Sequence, residues 1–204
     1  MTCEIGHFKI SAGGIDYNLT PSFKNILKLG SPTELVGLFS SAHEIFNPAK
    51  SHDKLDYMSA VMNSAFVIRT CCDIDPTKIL VDVMRTDKGL KLHYNSTRGA
   101  MTPERQLMIA AGLLRHGVAG VKKESESSKG DAADSVDIWE FVHTAMVHLN
   151  MSKEDALSLT MTEFVRIFDK KYPPEKTAAD SISDADYDEA MARLKIINAK
   201  RDVH

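Results

Sequence analysis

The sequence predicts a mainly α-helical protein with small β-hairpins, an α+β chain, and three observations carry that prediction. Hydroxyl or carboxylate capping residues stand before proline or an acidic first turn at several points, as in Ser31-Pro32-Thr33-Glu34 and Thr102-Pro103-Glu104. Between them, apolar residues recur at helical spacing. Twice, loosely alternating segments flank a glycine-bearing turn, which is the pattern of a hairpin.

Taken in order, Ile5 to Ile10 and Ile15 to Leu19 flank Ala12-Gly13-Gly14, whose glycines tolerate positive φ, and they pair as a first hairpin. Thr20-Pro21 starts a helix that carries Phe23, Ile26, Leu27 and Leu29 and ends at Gly30. Ser31-Pro32-Thr33-Glu34 starts a second, running to about Glu44 with Leu35, Val36, Leu38 and Phe39 on its apolar side. After a polar loop from Asn47 to Asp53, residues Leu55, Met58, Val61, Met62, Ala65, Phe66 and Ile68 describe a central core helix that reaches Cys71 or Cys72. Ile79 to Tyr94 reads as a second hairpin about Thr86-Asp87-Lys88-Gly89, with a helix starting near Pro76 as the alternative. Thr102-Pro103-Glu104 opens the helix of Leu107, Met108, Ala111, Leu113 and Leu114, which ends near His116-Gly117.

Residues 122 to 136 offer almost nothing to bury and are expected to form a flexible polar linker. The chain therefore divides into an N-terminal mainly helical domain with β-hairpins (1–121), the linker, and a C-terminal helical segment (137–204). In that segment Asp137 caps a helix through Leu149 closed by Asn150, Ser152 with Asp155 starts another, and Thr160 or Thr162 caps a third carrying Phe164, Val165, Ile167 and Phe168. Pro173-Pro174 ends it. A last helix from Ser183 presents one narrow apolar stripe of Tyr187, Met191, Leu194 and Ile197, which can serve its own domain or a partner chain and is the candidate partner-binding set.

Composition excludes several functions. Apolar residues make up 43% and charged residues 26% of the chain, proportions that suit a folded globular protein. A formal charge of −3 supplies no basic field for phosphates, so nucleic acid is not an expected partner. No apolar run approaches the ~20 residues that span a bilayer. The first residues lack a basic stretch followed by an apolar run, so export is not expected. Cys3, Cys71 and Cys72 are read as thiols in a reducing cytoplasm.

No set of residues assembles into a catalytic or metal site, and neither metal nor cofactor is expected. Glu140 and His143 lie one turn apart, but a carboxylate-bridged di-metal bundle needs a second such pair on another helix. His143 and His148 are five residues apart and diverge on a helix, unlike the i, i+4 pair of zinc hydrolases. Cys71-Cys72 lacks the spacer that lets two thiolates share a metal. No Gly-x-Ser-x-Gly elbow or phosphate loop is present. Ten methionines are many for 204 residues; Met58 with Met62, and Met146 with Met151 and Met161, either fill core or form adaptable apolar surface.

Three stretches resemble a family of proteins encoded among the tail genes of long-tailed bacteriophages. They are Tyr17-Asn-Leu-Thr-Pro-Ser-Phe-Lys-Asn-Ile with Leu29-Gly-Ser-Pro-Thr-Glu-Leu-Val; Ile109-Ala-Ala-Gly-Leu-Leu-Arg-His-Gly-Val-Ala-Gly; and Ala145-Met-Val-His-Leu-Asn-Met-Ser-Lys-Glu-Asp-Ala-Leu-Ser-Leu-Thr-Met-Thr-Glu-Phe, leading to Asp169-Lys-Lys-Tyr-Pro. Many members carry an aromatic residue where this chain has Leu157 or Ser158. The resemblance implies a non-catalytic tail-assembly chaperone of the host cell cytoplasm. Such a protein keeps the long, apolar, helical tape-measure protein, and other tail proteins, soluble until the tail tube polymerises. A structural tail protein retained in the virion, a tube-joining or tube-terminating subunit, is the alternative.

Overall fold

Alternation along the first residues gives the first sheet. The computed structural model describes residues 3–4, 6–47, 51–87, 89–95, 97–121 and 135–173. β2 (His7–Ala12) buries Phe8, Ile10 and Ala12 and exposes the residues between, and it pairs antiparallel with β3 (Ile15–Leu19) in the register Ala12↔Ile15 to Phe8↔Leu19. Gly13 and Gly14 form the two-residue turn with φ of 58° and 78°, as a primed hairpin turn requires. A short β1 (Cys3–Glu4), which the alternation did not predict, extends the sheet to the order β1-β2-β3.

The helix expected from Thr20-Pro21 is shorter than its signal. α1 covers only Phe23–Ile26, and its cap is Ser22, one residue past the proline. The reason is tertiary. Thr20 N donates to Cys71 O at 2.8 Å and Phe23 N donates to Leu159 O at 2.8 Å, so the chain around Pro21 is held extended by its neighbours. α2 (Pro32–Glu44) follows its sequence signal closely: the Ser31 hydroxyl accepts from Glu34 N, and a Glu34 carboxylate oxygen accepts from Ser31 N at 2.7 Å, closing a capping box.

α3 (Lys54–Cys71) is capped by Asp53, which accepts from Leu55 N and Asp56 N, and packs along α4 (Pro103–Leu114). Between them in sequence lies the second hairpin, β4 (Asp82–Thr86) with β5 (Gly89–His93), in register from Asp82↔His93 to Thr86↔Gly89. Both readings at Pro76 hold a part: a single 3-10 turn covers Thr77–Ile79, and the hairpin starts only at Asp82 because Ile79, Leu80 and Val81 are fully buried beneath α3 and α4.

α4 does not end at His116-Gly117. It runs on through a π-helical turn, Arg115–Ala119, and stops at Gly120, whose φ is 73°. Gly117 is the residue whose missing Cβ matters there: a Cβ would lie 2.6 Å from Ile26 Cδ1 and 2.9 Å from Pro21 Cβ. The turn thus packs against α1 at a distance only glycine allows.

α5 (Ile138–His148), α6 (Lys153–Ser158) and α7 (Met161–Lys171) begin at the residues the capping signals marked. Asp137 accepts from Trp139 N, and Ser152 accepts from Asp155 N. Asn150 adopts φ 55° after α5, as expected of a left-handed helix end. The choice between Thr160 and Thr162 resolves in favour of Thr160, whose hydroxyl accepts from Glu163 N while Glu163 accepts from Thr160 N. The Thr162 hydroxyl instead lies 2.9 Å from His116 Nδ1 and accepts from Val121 N at 3.0 Å.

The expected division of the chain at 122–136 does not divide its core. Ile138, Val142, Ala145, Ala156, Leu159, Met161 and Phe164 share one apolar core with Ile10, Leu19, Phe23, Ile26, Leu35 and Ile68, and Val136 packs against it. Phe23, Phe141, Phe164 and Phe168 form its aromatic centre, with ring centroids 5.5 to 6.3 Å apart. The first compact unit accordingly runs Met1–Phe168. Residues 122–134, the body of the expected linker, lie outside the described residues. Of the second unit, Asp169–His204, residues 169–173 are described, and Lys171 stands 5.8 Å from the centre of the Tyr172 ring. The stripe of Tyr187, Met191, Leu194 and Ile197 also lies outside the described residues.

Candidate functional site

Among the described residues, the most chemically equipped cluster joins β2, the end of β3 and α7. His7 Nδ1 lies 3.2 Å from Thr20 Oγ1, and His7 Nε2 lies 3.5 Å from Glu163 Oε1, which sets hydroxyl, imidazole and carboxylate in a row. The order is that of a nucleophilic triad. Its surroundings are not. The residue after Thr20 is Pro21, which has no N–H to stabilise an oxyanion, and the other Glu163 oxygen is held at 2.8 Å by Thr160 N in the α7 capping box. Behind it, His116 Nδ1 lies 2.9 Å from Thr162 Oγ1, and burial, followed by Arg115 and Arg166, holds its pKa below the usual histidine value. These contacts read as a polar seam fastening the first sheet and the π-helical turn to α7.

The histidines singled out by spacing do not converge. Glu140, His143 and His148 are exposed; the His143 ring stacks on Trp139 at 5.9 Å and the His148 ring meets Phe168 edge-on at 6.3 Å. Among the described residues, no three His, Cys, Asp or Glu side chains are grouped so as to hold a metal. Cys71 is a core residue, 1% exposed, and burial pushes its thiol up to about 12; burial also raises the half-buried Cys72. Both are free thiols. Of the methionines, Met58 and Met161 are buried, whereas Met62 is 55% exposed.

Met62 belongs to a feature the sequence reading placed in the core. At ~100° per residue, Leu55, Ser59, Met62 and Phe66 fall within about 60° of one another on α3. Leu55, Met62 and Phe66 are 65%, 55% and 43% exposed. The inward face of the same helix is a different set, Met58, Val61, Ala65 and Ile68, all buried. A signal for this was present. The seven apolar positions counted along α3 cover an arc of about 160°, wider than the ~100° that one buried stripe of a surface helix needs.

On one flank of the stripe, α2 and α3 diverge and leave a cleft of about 430 Å³ lined by Ser41, Glu44, Ile45, His52, Asp56, Ser59 and Asn63 among others. A second cleft of about 490 Å³ shares Ile45 and His52 and continues to Phe46, Asp53, Lys54, Tyr57, Glu104 and Leu107. His52 Nε2 lies 2.9 Å from Glu44 O, bridging the α2 end to the start of α3. On the far wall the Tyr57 hydroxyl donates to Glu104 Oε1 at 3.1 Å. Desolvation, reinforced by Glu104, pushes that phenol up to about 12, so it stays a donor at any physiological pH. Among the described residues the linings of both clefts include the carboxylates Glu44, Asp53, Asp56 and Glu104 and the ammonium of Lys54; Asp53 and Asp56 serve the capping box of α3 and Glu104 holds Tyr57.

Fold and surface together define an α+β protein with an apolar stripe on α3 beside a cleft between α2 and α3. The chain belongs to the family of unknown function DUF6246, whose family model matches residues 19–189. The match begins at the last residue of β3, so the α2–α3 cleft and α1 to α7 of the described residues lie inside it and most of the first sheet lies outside. No curated protein and no solved structure matches the chain. Among the described residues, no helix is long and apolar enough to cross a membrane.

Proposed function

We propose that this chain is a non-catalytic tail-assembly chaperone of a long-tailed bacteriophage, which binds the tape-measure protein in the host cell cytoplasm. The reading rests on the resemblance of the stretches at 17–36, 109–120 and 145–173 to tail-assembly proteins. One structural observation supports it most: Leu55, Met62 and Phe66 stand exposed in a row on a helix whose other face already fills the core. Exposed apolar residues are ordinary when scattered, but an aligned set on one helix is a surface that gains by being covered. A chaperone for apolar helices needs such a face, and it needs no reacting groups.

Co-expression tests the proposal. The tape-measure protein encoded beside this chain is expected in the soluble fraction when the two are made together and in the pellet when it is made without it. Equal solubility in both cases defeats the assignment. Detection of the chain at a fixed copy number in purified virions would favour the structural tail protein instead.

A further inference from the structure

We draw no further inference here: the strongest candidate, the exposed Leu55–Met62–Phe66 face of α3 beside the cleft between α2 and α3, carries none, because nothing in the structure shows what covers it.

Discussion

Gln106 is fully buried where α3, α4 and the approach to β4 meet, and its replacement by leucine should be among the most damaging single changes in this protein. Its Oε1 accepts from Val81 N at 2.7 Å, and its Nε2 lies 3.0 Å from Val81 O, 3.0 Å from Ser64 Oγ and 3.1 Å from Val61 O. Leucine matches the volume and removes every one of these bonds. Val61 O keeps the Ser64 hydroxyl at 2.7 Å, so it is not orphaned. Val81 is different: its residue is 0% exposed, and Gln106 serves both its N–H and its C=O.

Two buried backbone groups left without partners cost about 1–3 kcal/mol each, and the gain from burying a leucine recovers part of it. A net loss of about 3 kcal/mol results, equivalent to a fall in Tm of roughly 6–12 °C for a chain of this size. Urea denaturation followed by circular dichroism measures the first figure and a thermal scan the second. Gln106→Glu supplies the control. Burial should hold that carboxyl protonated in the folded state to a pH above its unfolded pKa. The folded state then binds more protons than the unfolded one, and the variant should lose stability progressively as pH rises above about 4.3. A Gln106→Leu protein within about 0.5 kcal/mol of the unaltered chain would refute the claim that the amide supports Val81.

The same methods reach three further outcomes. Gly117→Ala forces a Cβ into contact with Ile26 and Pro21 and should cost about 1–3 kcal/mol, whereas Gly37→Ala, where nothing lies within 4 Å on the exposed side of α2, should stabilise by up to about 1 kcal/mol. His116, whose folded pKa lies below the unfolded value chiefly through burial, contributes stability at neutral pH that is lost as pH falls below about 6.5; urea midpoints at pH 7.5 and 5.5 should differ more for the unaltered chain than for His116→Gln. Cys71 should resist a thiol reagent at neutral pH until the protein is unfolded, as mass spectrometry of the labelled chain would show, because its thiol is buried and raised to about 12.

Signals confined to a few neighbouring residues were legible in the sequence. The caps at Ser31 and Ser152, the paired glycines at 13 and 14, and Asn150 at a helix end all work through bonds or torsions between residues close in the chain, and each stands where its pattern placed it, whereas the choice between Thr160 and Thr162 was left to the structure. The α+β class follows from the sum of such signals. Tertiary structure decided three things. It shortened α1, because Cys71 and Leu159 claim the backbone around Pro21. It drew α5 to α7 into the same core as β2, α1 and α3, which composition at 122–136 could not foretell, since a polar segment says nothing about how apolar faces on either side of it meet. And it chose which apolar face of α3 to cover. Periodicity shows that Leu55, Met62 and Phe66 lie on one side and Met58, Val61 and Ile68 on another, but burial depends on where α4 and the second hairpin pack, and that is set by contacts far apart in the chain.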